Sequence, residues 1–137
     1  MGWCPLSKPD RRIHVYVAGP FNGGDVAQNI TRAIEQADRL WRKGYMPYVP
    51  HLTFFWHMIC PHDHEEWIDL DRAWLAKCDV MLRMPGRSVG ADKDEEIAKG
   101  LGIRTVHSEK DLDVCAQRMC QMGYFVETRT RVNDGNF

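Results

Sequence analysis

The chain has 137 residues, 44% of them hydrophobic and 27% charged, with a formal net charge of −1. That length suits one domain with a real core, and that composition suits a soluble globular protein. Near-neutral charge excludes the strong basic field of a nucleic-acid polymer binder, and no apolar run reaches the roughly 18 residues that span a bilayer.

Residues 1–12 lack the apolar core of a signal peptide and read as a loose lead-in. Ile13, Val15 and Val17 then alternate with His14 and Tyr16 and run into Ala18 and Gly19. β-branched residues at period two, followed by an uncharged end, predict a central strand of a parallel sheet. The run Gly19-Pro20-Phe21-Asn22-Gly23-Gly24-Asp25 breaks that strand. Glycines let backbone N–H groups approach a ligand closely, and Asp25 can cap the next helix. Strand, glycine turn and helix N-terminus together form an anion or phosphate seat.

Val26, Ile30, Ala33, Ile34, Ala37, Leu40 and Trp41 recur at helical spacing, and Gly44 ends the helix. Tyr45–Pro50 predicts a second strand, kept short by its two prolines. Residues 51–64 read as a long aromatic connection, with Phe54, Phe55 and Trp56 able to stack on a flat ligand or to meet another subunit. His57, His62 and His64 lack the spacing of a zinc motif, so no metal is expected.

The spacing of Trp67, Leu70, Trp74, Leu75 and Cys78 predicts a helix over residues 65–78. Asp71 lies on its apolar stripe, where an unpaired carboxylate is costly; it must find a partner or face a cavity. Asp69 points elsewhere, into solvent. Asp79–Met84 reads as the third strand and Pro85–Asp92 as a second glycine-rich loop. A helix over residues 93–100 then carries Asp92, Asp94, Glu95 and Glu96 around its first turn. One of these acids facing a cavity could act as nucleophile or base. Ile103–Val106 is the fourth strand, Ser108 caps a last helix closed by Gly123, and Tyr124–Thr128 is a candidate fifth strand. Residues 129–137 form a polar tail.

This alternation predicts an α/β fold: a single-domain flavodoxin-like or Rossmann-like parallel sheet of four or five strands with helices on both faces. Ligands of such sheets sit at the carboxyl ends of the strands, where both glycine loops and Asp71 would meet. Five cysteines, an odd number without a C-x-x-C pair, point to free thiols in a reducing cytoplasm.

Val15-Tyr16-Val17-Ala18-Gly19-Pro20-Phe21, Val49-Pro50-His51-Leu52, Trp74–Val80, Pro85–Asp92 and Leu101-Gly102-Ile103 occur in a characteristic order. Over residues 13–107 the chain resembles the nucleoside 2-deoxyribosyltransferase-like superfamily. It is similar both to the 2′-deoxynucleoside 5′-phosphate N-hydrolases and to small uncharacterised phage and bacterial members. The resemblance assigns residues 13–128 to one such domain and implies a flavodoxin-like sheet. It also implies cleavage of an N-glycosidic bond by a carboxylate that attacks the anomeric carbon, with no cofactor. Tyr16 matches the tyrosine of the first strand, and Asp71 the helix aspartate that orients the substrate or handles the proton.

The family nucleophile is a glutamate followed by alanine four residues on and glycine eight residues on. Ala98 and Gly102 put that position at Asp94, and a shift of one or two residues would put it at Glu95 or Glu96. Gly19, Pro20, Phe21, Asn22, Gly23 and Gly24, with Ser88, Gly90 and Asp92, match the substrate-binding loops. Pro20 and Asn22 stand where the phosphate-binding members have serine and arginine, and Arg83 or Arg87 could supply charge instead. The implied partner is a small-molecule nucleoside or nucleotide, in a homo-oligomer. Hydrolase, base-exchanging transferase and non-catalytic nucleotide-binding module all remain open at this point.

Overall fold

The computed structural model describes residues 10–129. The lead-in up to Pro9, Cys4 within it, and the tail from Thr130 onward lie outside the described residues. Strand β1 (His14–Ala18) is followed by α1 (Val26–Lys43), β2 (Met46–Tyr48), a 3-10 turn (Pro50–Leu52), α2 (Thr53–Ile59) and α3 (His64–Leu75). Then come β3 (Val80–Arg83), α4 (Val89–Gly100), β4 (Arg104–Val106) and α5 (Glu109–Gln121).

The four strands pair in parallel in the order β2-β1-β3-β4. Alternation along each strand splits the core in two. Val15 and Val17, with Val80, Leu82 and Val106, face Ala33, Ala37 and Leu40 of α1 and Leu112, Cys115 and Ala116 of α5. Tyr16, Ala18 and Met81 face the other way, onto Leu75 of α3 and Ala91 and Ala98 of α4. The fold is therefore the flavodoxin-like α/β sandwich expected. The chain moves outward from β1 to β2 and returns to β3 on the opposite side, so the switch point lies between the carboxyl ends of β1 and β3.

Local chemistry sets the element ends. Asp25 caps α1 by accepting from the Gln28 amide, Gly44 closes it at φ 101°, and Ser108 caps α5 by accepting from the Asp111 amide. Four expectations are corrected. Residues 53–59 form helix α2 rather than part of a loop: Thr-Phe-Phe-Trp-His-Met-Ile holds no glycine or proline, and Pro50 starts the preceding turn. No residue of α2 is buried, so it lacks the one-sided apolar stripe that reveals a helix in sequence.

Helix α4 starts at Val89, four residues earlier than expected, because Ser88 accepts from the Ala91 amide as its N-cap. Tyr124–Thr128 adds no strand. Phe125 makes a single bridge to Arg12, and the segment then runs over Gly44, leaving no room there for a Cβ beside the Glu127 backbone. Among the described cysteines Cys60, Cys78, Cys115 and Cys120 are all free thiols; Cys78 lies just past α3 rather than within it.

Candidate active site

The carboxyl ends of β1 and β3 carry two turns that touch. The first spans Gly19–Asp25, and the buried Asn29 of α1 holds its shape, donating to the carbonyls of Phe21 at 2.9 Å and Gly23 at 2.8 Å. The second spans Met84–Ser88, with Gly86 at φ 114°. A Cβ on Gly86 would lie 2.8 Å from the Pro20 ring, so glycine is required for the loops to close on each other. Beside them opens a cavity of about 1010 Å³, roofed by α2 and the start of α3.

Two partly buried acids from different helices line this cavity, beside the exposed Glu65 and Glu96. Asp71 comes from α3, whose N-terminus is fixed by a capping box between Asp63 and Glu66. Asp94 comes from α4, and the Tyr16 hydroxyl donates to its Oδ2 at 3.3 Å. Tyr16 is fully buried under the cavity floor, its ring 5.6 Å from Tyr48, which stacks in turn on Trp74. Burial, then the nearby Asp94 and Asp71, push the Tyr16 phenol far above its ordinary value, so it stays a donor.

Burial also raises both carboxyls. Asp71 rises to about 7, first by desolvation and then by the charge of Asp94, with Tyr48 pulling it back in part. Its Oδ1 is buried with no hydrogen-bond partner. Desolvation raises Asp94 to about 6, while the Tyr16 hydrogen bond and the Arg83 charge act in the opposite direction. Near neutral pH the pair thus holds one ready carboxylate and one carboxyl that is half protonated.

Of the remaining acids, Glu96 lines the cavity from an exposed position. Glu95 and Asp92 do not. Arg83 Nη1 holds Asp92 Oδ1 at 2.8 Å and Glu95 Oε2 at 3.5 Å, and His107 lies 3.6 Å from the other Glu95 oxygen. Asp92, expected as a substrate contact, and Glu95, one of the candidate nucleophiles, are thus held away from the cavity, and Arg83 is engaged in ion pairs behind it. Arg87, in contrast, lines the cavity.

Gly19, Phe21, Asn22, Gly23, Ser88 and Gly90 all line the cavity. Pro20 and Gly24 do not line it. Pro20 packs on Gly86, and Gly24, at φ 84°, makes the turn without reaching the cavity.

Sequence reasoning missed His51 as a site residue. It is 5% exposed, lines the cavity, and sits just past the carboxyl end of β2. Its Nε2 is 3.0 Å from the Pro20 carbonyl, which can only accept, so Nε2 carries the proton and Nδ1 is an acceptor. That Nδ1 is buried without a partner, and burial lowers the imidazole below its usual pKa, keeping it neutral. The clue available in the sequence was a polar residue at the same sheet edge as both glycine loops. His57 belongs to the aromatic connection that the sequence marks as able to stack on a flat ligand. Its Nδ1 accepts from the Trp67 indole at 2.9 Å and from the His62 amide at 3.2 Å, while His62 pairs with Glu66. His57 and Trp67 therefore form an aromatic wall.

Residues 13–108 match a family model described as Domain of unknown function (DUF7768). A comparison with curated proteins finds no match.

Proposed function

The chain belongs to that DUF7768 family, and from its own cavity we propose an N-glycosidase that releases the base from a (deoxy)nucleoside 5′-monophosphate through a carboxylate nucleophile. One observation carries the reading: Asp71 and Asp94, from separate helices, open onto a single cavity beside the glycine turn, with Tyr16 beneath Asp94. Two carboxyl groups with separated proton affinities are what glycosidic cleavage needs.

In the proposed reaction Asp94, the more acidic of the two, attacks the anomeric carbon. The C–N bond breaks as positive charge builds on the sugar, and the protonated Asp71 delivers its proton to the departing base. A water then attacks the glycosyl ester, losing its proton to the Asp71 carboxylate; the sugar phosphate leaves and Asp94 is restored. Tyr16, held as a donor, keeps the Asp94 oxygens oriented.

The other walls suit the rest of a nucleotide. Asn22, Gly23, Arg87 and Ser88 supply donors and, from Arg87, a positive charge for a phosphate. The unpartnered His51 Nδ1 is an acceptor awaiting a hydroxyl donor such as a sugar offers. Phe54, His57 and Trp67 give a wall on which a base can stack. The exposed apolar face next to the cavity, with Leu52, Trp56 and Trp74 each about half exposed, supports the homo-oligomer expected of the superfamily.

The test is chromatographic detection of free base from a panel of deoxy- and ribonucleoside monophosphates, with and without a second free base. Base release alone supports the hydrolase; a new nucleotide supports the base-exchanging transferase. Binding without release by the wild type, over hours and across the panel, would leave a nucleotide-binding module.

A further inference from the structure

Arg83 is the one arginine among the described residues that is buried, 8% exposed, and it stands at the carboxyl end of β3 behind the cavity rather than in it. Each of its three nitrogens makes a hydrogen bond. Nε reaches the Met84 carbonyl at 3.3 Å and Nη2 the Gly86 carbonyl at 3.0 Å, while Nη1 serves Asp92 and Glu95. One guanidinium therefore holds the second loop and two acids of α4 at once. A planar fork can do this where an ammonium cannot.

Successive helix residues diverge by about 100°. With Asp92 and Glu95 both drawn to the guanidinium, the intervening Asp94 is turned to the Tyr16 side. We propose that Arg83 is a positioning residue: by holding Asp92 and Glu95 outside the cavity, it sets the rotation of α4 that presents Asp94, and no other acid of that turn, to Tyr16. This rests on the glycosidase reading above for its catalytic consequence, but its geometric and electrostatic content stands apart from turnover.

The same cation also acts on Asp94 through space. The groups that face Asp94 are Tyr16 from β1, Asp71 from α3 with Tyr48 of β2 behind it, and Arg83 from β3. Arg83 is the only positive charge among them. With the Tyr16 hydrogen bond, its charge favours the carboxylate form of Asp94.

The experiment compares wild type with Arg83→Gln, Arg83→Lys and Asp92→Asn. The first arm follows the Asp94 carboxyl by carbon NMR against pH, without substrate. Arg83→Gln is expected to move the Asp94 midpoint upward, whereas Arg83→Lys, which keeps the charge, leaves it within a few tenths of a pH unit. The second arm measures base release. Arg83→Gln is expected to lower kcat between about tenfold and a hundredfold with little change in KM, and to carry the acidic limb of the profile to higher pH. Arg83→Lys is expected to lower kcat without moving that limb.

Should Arg83→Gln fail to fold, Asp92→Asn alters an exposed carboxylate and carries the test, with kcat expected to fall severalfold at unchanged KM. An Asp94 midpoint and acidic limb unmoved by Arg83→Gln, or a kcat untouched by Asp92→Asn, overturns the proposal. A wild type that releases no base sinks the glycosidase reading instead, and the NMR arm then decides on Arg83 by itself.

Discussion

Replacing Asp71 by asparagine should stabilise the protein at neutral and alkaline pH while removing its activity. Burial and Asp94 raise the folded-state pKa of Asp71 from 3.8 to about 7. Below pH 4 the carboxyl is protonated in both folded and unfolded chains and has no effect on stability. Between 4 and 7 the unfolded chain releases a proton that the folded chain keeps, so stability falls as pH rises, and above 7 the loss is complete. The interval from 3.8 to about 7, at ~1.36 kcal/mol per pH unit, sets a ceiling of about 4 kcal/mol. Asp71 is only partly buried, and solvent screening brings this to about 2 kcal/mol.

Asparagine keeps the shape and cannot ionise. Urea unfolding followed by tryptophan fluorescence should therefore show Asp71→Asn and wild type nearly equal at pH 4, with the variant ahead by about 2 kcal/mol at pH 8. Base release by the variant should fall about a thousandfold with the loss of the proton donor. A stability difference that stays constant from pH 4 to pH 8, or a variant less stable than wild type at pH 8, would refute the reasoning. An acid that strains the fold in this way is the kind of group retained for function.

Tyr16→Phe removes the donor to Asp94, so the Asp94 midpoint should rise above about 6 and base release at pH 6 should drop about tenfold, read from pH–rate profiles. Glu96→Gln should retain turnover within a few-fold, because the Tyr16 hydroxyl bonds Asp94 and Glu96 lines the cavity from an exposed position, whereas Asp94→Asn should lose about a thousandfold in the same assay. Gly44→Ala forces a side chain into left-handed backbone against Glu127 and should destabilise by more than about 1 kcal/mol in thermal melts. Trp56→Glu combined with Trp74→Glu should shift the proposed oligomer to monomer by light scattering, since both side chains are about half exposed on one apolar face.

The sheet could be read from the chain because its signals are local. Alternating β-branched residues at Ile13–Val17 mark a strand, Asp25 and Gly44 bracket a helix, and the β-α order leaves few topologies. Asp71 was legible for a different reason: a carboxylate on an apolar stripe is expensive, so its place implied a cavity.

Features that depend on contacts distant in sequence were not legible. Which of Asp94, Glu95 and Glu96 faces the site depends on the rotation of α4, and that is held by Arg83 from another element. The importance of His51 depends on one ring nitrogen meeting Pro20 and the other meeting nothing. Helix α2 escaped because periodicity reveals only helices with a buried face, and this one has none.

The central claim is that Asp94 forms a bond to the sugar. Wild-type protein should be mixed with a deoxynucleoside monophosphate, quenched in acid within the first turnover, digested and mapped by mass spectrometry. A sugar-phosphate adduct on the peptide holding residues 93–99, localised to Asp94 and absent from Asp94→Asn, is the expected result. Base release that proceeds with no adduct, and that survives Asp94→Asn, would contradict the account.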